Sequence, residues 1–162
     1  SAAKKAAELC VVQADAQAKA SPLEVPRAAG IGQTYCLEGV GRFADAEKLF
    51  QVLVQTYSSE PTFLLRYANF LINQKAREKD ALAWVDQAVG VSYGYNWAKA
   101  VLLKAKIEIA MKNSDGALKT LNAAIGELDL SSGDPDDRDQ RWAARFRDVE
   151  KSIAKSRAVA NQ

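Results

Sequence analysis

Few side chains in this sequence could do chemistry. The 162 residues include no histidine and only two cysteines, Cys10 and Cys36. The missing histidine removes Ser-His-Asp and Cys-His nucleophilic machinery, together with the commonest transition-metal ligand. The two cysteines lie too far apart for a Cys-x-x-Cys motif and are too few for a four-ligand zinc site. We therefore expect no catalytic site, no metal and no cofactor.

The two cysteines leave two alternatives open. Free cysteine is among the most buried residue types, so we favour two small buried side chains on neighbouring helices. A disulfide bond between Cys10 and Cys36 is the alternative, and it would indicate an oxidising compartment.

Two carboxylates that are adjacent in sequence, Asp136 and Asp137, could exchange protons with a substrate. They directly follow Pro135, at the predicted start of a helix, where acids stabilise the positive end of the helix dipole. We therefore favour a structural role for both carboxylates over acid–base catalysis.

Composition and charge narrow the class of partner. Hydrophobic residues make up 48% of the chain and charged residues 26%, which is ordinary for a soluble domain. The net charge is only +2, and Lys and Arg are interleaved with Asp and Glu, so we expect no nucleic-acid partner. No apolar run approaches the ~20 residues that cross a bilayer, so we expect no membrane insertion. The chain opens without Met or a signal peptide, which suggests a piece of a longer chain.

A segment that recurs three times determines the predicted architecture. Its anchoring alanines, Ala46, Ala81 and Ala117, lie 35 and 36 residues apart. An apolar residue follows each alanine four residues later, and a further apolar pair closes each copy. A near-constant period in this range is typical of stacked helix pairs. The three copies are residues 45–54, 80–89 and 116–125.

Apolar residues recur at spacings of three and four and nothing alternates as a strand does, so we predict an all-α fold of about eight helices. Pro22 and Pro26 should separate the first two helices, and Gly90 should end the fifth. Asn96 should cap the sixth helix after a loop over residues 92–96. The predicted helices are 2–20, 26–38, 42–57, 61–73, 78–89, 97–112, a seventh that follows a turn at 113–116 and reaches 130, and 134–159.

The eighth predicted helix should open with an N-cap at Asp134 and Pro135 in its first turn. It should dock by a single apolar stripe with charges on its other faces. The stripe comprises Trp142, Phe146, Val149 and Ile153.

The three copies resemble the tetratricopeptide repeat (TPR), whose unit pairs an A helix with a B helix over about 34 residues. The B helix of this family has a small residue, a bulky one four later and another small one three beyond. The second copy, with Ala81, Val85 and Ala88, fits this pattern. The first copy departs from it at Leu53, and the A helix of the third repeat is out of step. The resemblance implies one domain over residues 1–162: a right-handed superhelical solenoid with a flanking helix at 1–20, three antiparallel helix pairs at 26–130 and a capping helix at 134–159.

In this family the A helices line an inner groove that contacts peptides. The resemblance implies a non-catalytic scaffold that binds a peptide or protein segment in this groove. Asn69 and Gln33 could each donate to and accept from a peptide backbone, while Lys99 and Lys106 could receive an acidic group. The alternative is that these are solvated helix faces. The candidate peptide-binding residues are Gln33, Leu65, Asn69, Ile72, Lys99 and Lys106, with Ala29, Cys36 and Leu102 at equivalent positions.

A second functional hypothesis is an assembly domain of a larger protein, such as a bacterial envelope or thioredoxin-fold protein. The apolar stripe of the eighth helix could then form a homo-oligomer.

Aromatic residues at 93, 95 and 97 offer a second candidate surface. Exposed Tyr and Trp often anchor a partner. We favour the alternative, in which they fill the junction between adjacent repeats with their large apolar area. Trp142 and Phe146 present the same choice.

Overall fold

All of the described chain that has regular structure is helical. The computed structural model describes residues 2–20, 27–74, 76–134 and 136–160, without the side chains at 2–4, 7, 14, 17–20, 28 and 160. Within these ranges it contains no strand, so the predicted all-α class with eight helices is confirmed. The positions predicted for Pro22, Pro26 and Pro135 lie outside the described residues. The helices are α1 Ala2–Ala20, α2 Arg27–Gly39, α3 Phe43–Thr56, α4 Pro61–Ile72, α5 Glu78–Val91, α6 Gly94–Ala110, α7 Ser114–Gly126 and α8 Arg138–Ala160.

The chain divides into two compact units, Ser1–Tyr67 and Ala68–Gln162, and the division falls within α4. In the first unit α1 packs on α2 and α2 packs on α3. In the second unit α5 packs on α6, α6 on α7 and α7 on α8. Helices that are consecutive in sequence are therefore neighbours in each unit, as short connections favour. The expectation of a single domain stays a prediction.

One turn recurs at the repeat period and introduces α3, α5 and α7. It places a residue in the left-handed region at Gly41 (φ 78°), Ala76 (φ 60°) and Lys112 (φ 60°). The next residue, Arg42, Arg77 or Asn113, precedes the new helix and accepts a backbone hydrogen bond from the anchoring alanine at 3.0, 3.0 and 3.1 Å. The sequence repeat at Ala46, Ala81 and Ala117 thus corresponds to a repeated local structure.

Backbone hydrogen bonds complete this turn at the ends of α2 and α6. After α6, Lys112 N–H donates to Ile109 C=O at 2.9 Å and Asn113 N–H donates to Glu108 C=O at 2.8 Å. After α2, the bonds from Gly41 and Arg42 follow the same pattern. This is the Schellman arrangement, which satisfies carbonyls that the helix end leaves open.

The core of the first unit depends on close approach of α2 to α3. A Cβ atom at Gly30 would lie 2.5 Å from a methyl carbon of Leu53, so a larger residue there would require the Leu53 side chain to shift. Phe50 is fully buried, and its ring stacks on Tyr67 with centroids 5.3 Å apart. Ala46 is also fully buried, as expected for a small residue where two helices approach closely.

The core of the second unit surrounds α6. Small residues dominate the contact between α6 and α7, and large residues of α8 cover one end of it. The predicted apolar stripe of α8 is confirmed, since Trp142, Phe146 and Ile153 are buried and Val149 packs against them. The buried cluster contains Ala98, Val101, Ala105, Ala117, Leu121, Ala124, Trp142, Phe146 and Ile153.

Six predicted helix boundaries are wrong by two or more residues. Two of them are the end of α6, at Ala110 in place of 112, and the start of α7, at Ser114 inside the predicted turn. α5 continues through Gly90 to Val91, because a glycine inside a helix costs only about 1 kcal/mol. α6 begins at Gly94 after an extended Tyr93, so Asn96 lies in its first turn and residues 94–96 are not a loop. α7 ends at Gly126, four residues early. α8 begins at Arg138, because Asp137 caps it in place of Asp134.

The preferred interpretation of the cysteines is also wrong. Cys10 on α1 and Cys36 on α2 form a disulfide bond, with Cα atoms 5.8 Å apart. This separation lies inside the range that disulfide geometry requires. Both residues are half-buried, and nearby Asp15 of α1 pairs with Arg42 at 2.8 Å. Leu9 and Val12 of α1 are 67% and 65% exposed, whereas the disulfide and this ion pair link α1 to α2 and to Arg42.

We predict that Lys112→Gly raises the free energy of unfolding by about 0.5–1 kcal/mol. Glycine avoids the steric cost of the left-handed conformation, but part of this gain is lost because glycine gives the unfolded chain more conformational entropy. Urea unfolding measures the change. Lys112→Ala is the matched control and should leave stability nearly unchanged. A Gly variant no more stable than the Ala variant contradicts the assigned turn.

We predict that opening the disulfide costs roughly 3 kcal/mol of unfolding free energy in the first unit, because it closes a long loop. Thermal unfolding of the wild type with and without reductant measures the effect, and a Cys10→Ser, Cys36→Ser variant should match the reduced protein. Free-thiol titration that finds two reactive cysteines in the unreduced protein contradicts the bond.

Candidate protein-binding surface

α6 presents an exposed stripe beside its buried faces. Ala98, Val101 and Ala105 pack in the core of the second unit. Roughly 100° around the helix from them, Tyr95, Lys99 and Lys106 are exposed and Leu102 is half-buried. The spacings of four, three and four residues place these side chains on one face of the helix.

Two aromatic rings connect this stripe to α8. The rings of Tyr95 and Trp142 lie 5.7 Å apart between centroids. Lys99 Nζ lies 4.4 Å from the centroid of Tyr95, and Arg145 Cζ lies 4.8 Å from that of Trp142. Each cation–ring contact stabilises by about 0.5–1 kcal/mol where exposed. We call Lys99, Tyr95, Trp142 and Arg145 the aromatic row.

A cleft of about 350 Å³ lies beside the aromatic row, at the N-terminus of α6. Trp97 and Trp142 form apolar walls, and Glu127, Arg138 and Asp139 contribute charged groups. Tyr93 lies at this cleft and is 88% exposed. Trp97, Trp142 and Phe146 pack in or against the core cluster, and their filling of a junction between adjacent repeats stays a prediction. This favoured interpretation of the aromatics is wrong for Tyr93 and Tyr95, which remain exposed.

The predicted site residues fall in both units. In the first unit Gln33 is half-buried on α2, and Leu65 is buried on α4. In the second unit Asn69 and Ile72 are half-buried at the end of α4. Only Lys99 and Lys106 come together on an exposed face, two turns apart on α6. A common groove formed by all six stays a prediction.

Cys36, which the resemblance places beside the groove residues of α2, is joined to Cys10. The disulfide therefore fixes α1 next to one position where a peptide was expected.

The segment between α7 and α8 is organised by carboxylates. Asp139 accepts from Asp129 N–H at 3.2 Å, and Gln140 donates to Leu130 C=O at 3.0 Å. Asp137 Oδ1 accepts from the backbone N–H groups of Asp139 and Gln140 at 2.8 and 3.4 Å. The predicted helix-end role is thus confirmed for Asp137.

The hydrogen bond from Arg138 to Asp139 lowers the pKa of that carboxyl below its ordinary value of 3.8. A carboxyl whose pKa is lower in the folded state stabilises the fold above the ordinary value. This contribution is lost as the pH falls through the lowered pKa.

Two cations in or beside the aromatic row were not singled out from the sequence, Arg141 and Arg145 of α8. The helix Arg138–Ala160 contains seven Arg and Lys residues against three Asp and Glu residues. The whole-chain net charge of +2 hides this local excess. Counting charges helix by helix would have revealed it.

Comparison with known proteins adds no relative: no protein-family model matches the chain, and neither the curated proteins nor the solved structures contain a significant match. The fold and surface therefore define an all-helical protein with a recurring helix–turn–helix junction. Membership of the TPR family stays a prediction. No described helix is long and apolar enough to span a membrane.

We predict that Asp137→Ala lowers the unfolding free energy by about 1 kcal/mol, because it removes the side-chain cap of α8. Asp136→Ala is the matched control: this neighbour has the same charge, is exposed, and should change stability by less than about 0.5 kcal/mol. Thermal unfolding compares the two, and equal destabilisation contradicts the capping role.

Proposed function

We propose that this chain is a non-catalytic, TPR-like helical-repeat scaffold that binds a peptide or protein segment. The observation that carries the proposal is the uncovered stripe of α6, whose Tyr95, Lys99 and Lys106 are exposed beside a half-buried Leu102. Elsewhere α6 is mostly buried, with Trp97 and Lys104 half-buried, so this stripe is the most exposed face on which the helix can meet another chain. The recurring turn before α3, α5 and α7 supports the repeat architecture on which the resemblance rests.

The chemistry of the stripe suits a protein segment. Tyr offers large, rigid contact area together with a polar hydroxyl, and such residues dominate binding energy at interfaces. Tyr95 is 57% exposed yet held by Lys99 and Trp142. A ring that is already positioned loses little conformational entropy when a partner covers it.

The remaining predicted residues of the second unit extend this proposal along the end of α4. Asn69 supplies an amide group that can bond a peptide backbone, and Ile72 supplies apolar contact. Roles for Gln33 and Leu65, in the first unit, stay predictions.

An assembly role is the second candidate, and α1 favours it. Leu9 and Val12 lie one turn apart on α1 and expose about two thirds of their surface. Apolar side chains in this arrangement can pack against a helix of another chain. Analytical ultracentrifugation separates the candidates: a Leu9→Gln, Val12→Gln variant should dissociate any oligomer that α1 forms, and monomeric wild type at high concentration contradicts this role.

The binding function predicts that a random peptide library displayed on phage yields sequences that bind the intact protein. Tyr95→Ala should weaken the selected peptides about tenfold, because truncating an aromatic anchor typically costs more than 1 kcal/mol. Fluorescence polarisation gives the dissociation constants, and thermal unfolding verifies that the variant is folded.

Phe43→Ala is the matched control, since this aromatic is 49% exposed but lies on α3. It should leave binding unchanged. A library that enriches no sequence contradicts the proposed function. Peptides that bind Tyr95→Ala as tightly as the wild type contradict the assigned surface.

A further inference from the structure

We propose that the segment held by this surface is acidic, and that its docking surface continues from α6 across the aromatic row onto α8. This inference rests on the proposed function and names the chemistry of its partner. Its core residues are Lys99 and Lys106 of α6 with Arg141 and Arg145 of α8, which we call the basic surface.

The stripe of α6 is basic without compensation. The helix contains a single carboxylate, Glu108, which is only 7% exposed and accepts a hydrogen bond from Thr120 of α7 at 2.8 Å. Glu108 therefore packs away from Lys99 and Lys106. No acid of α6 offsets the two lysines.

The outer face of α8 is basic as well. The exposed cations Arg141, Arg145, Arg147, Lys151 and Lys155 lie on the faces of α8 that the buried Trp142, Phe146 and Ile153 leave uncovered. One exposed acid, Asp148, lies among them and pairs with Lys151 at 3.5 Å.

The cations at the two ends of α8 are already engaged. Arg138 binds Asp139 at 2.8 Å, and Arg157 binds Asp115 at 2.6 Å. In the described part of the chain, the cations of α8 that pair with no carboxylate are Arg141, Arg145, Arg147 and Lys155. Arg145 belongs to the aromatic row.

The aromatic row joins the exposed side chains of α6 and α8 into one surface. Lys99 lies over Tyr95, Tyr95 contacts Trp142, and Arg145 lies over Trp142. Lys106 follows Lys99 by two turns on α6, and Arg141 precedes Arg145 by one turn on α8. Among the described residues, none of these four cations pairs with a carboxylate.

Four uncompensated cations within one unit attract acidic chains and accelerate their docking. The surface also carries apolar groups that a nucleic-acid backbone would not use. Leu102 and Ile109 alternate with the lysines along α6, and Ile109 is exposed. Trp142 is only 6% exposed, so its ring is not available for base stacking. Alternating cations and aliphatic groups fit a protein segment of alternating acidic and apolar residues.

The test uses three fluorescein-labelled probes on the intact protein. They are a 12-residue peptide of alternating Asp, Glu, Leu and Phe, the same peptide with Asn and Gln replacing its acids, and a 12-nucleotide single-stranded RNA. We expect the acidic peptide to bind at least tenfold more tightly than the amide peptide at 50 mM salt. The difference should shrink strongly at 500 mM salt, because salt screens exposed charges.

A Lys99→Gln, Arg145→Gln variant should weaken the acidic peptide about tenfold and leave the amide peptide unchanged. The matched control is Lys48→Gln, Lys79→Gln, which removes two exposed lysines from α3 and α5. It should bind the acidic peptide as the wild type does.

Equal binding of the acidic and amide peptides overturns the inference. So does RNA that binds more tightly than the acidic peptide. Library sequences that lack acids yet lose affinity on Tyr95→Ala overturn it while leaving the proposed function intact. A library that enriches no sequence contradicts both this inference and the proposed function.

Discussion

The burial of α6 is the constraint on which the rest of the second unit depends. Its small residues Ala98 and Ala105 are almost completely buried, and Ala117 of α7 is buried with them. Small side chains let two helix backbones approach closely, and close-packed contacts of this kind tolerate little change in volume. Because α5 and α7 pack on α6, the stripe of Tyr95, Lys99 and Lys106 is the most exposed face of this helix. The packing of α6 therefore determines which of its side chains are exposed.

α8 converts that stripe into a larger surface. The helix docks through Trp142 and Phe146, and the docking brings the ring of Trp142 against Tyr95. The same rings that bury apolar area also hold Lys99 and Arg145 in place. Structural stabilisation and the proposed recognition therefore use one set of side chains, and α8 serves as both the cover of the core and part of the binding surface.

The parts of the fold that could be predicted are those determined by hydrophobic periodicity and by turn-forming residues. Ala46, Ala81 and Ala117 recur with a period of 35 to 36 residues, which indicated a repeated helical junction. The structure has such a junction before α3, α5 and α7, and all three alanines are buried. The errors have other causes. α5 continues through Gly90 because one glycine costs a helix only about 1 kcal/mol, and Asp137 caps α8 in place of Asp134. Pairing of Cys10 with Cys36 depends on how α1 lies against α2, which no local pattern specifies. The contact of Arg145 with the ring of Trp142 depends on side-chain packing, which the sequence does not specify.

The most direct measurement of the central claim is the mapping of a selected peptide by chemical-shift changes on the ¹⁵N-labelled protein. The account predicts that the largest changes fall on Tyr95, Lys99 and Lys106 of α6 and on Arg141 and Arg145 of α8. The indole N–H of Trp142 should shift with them. Changes centred on α3, or on the outer face of α7, would contradict the account, because those surfaces lie outside the stripe that the packing of α6 leaves exposed.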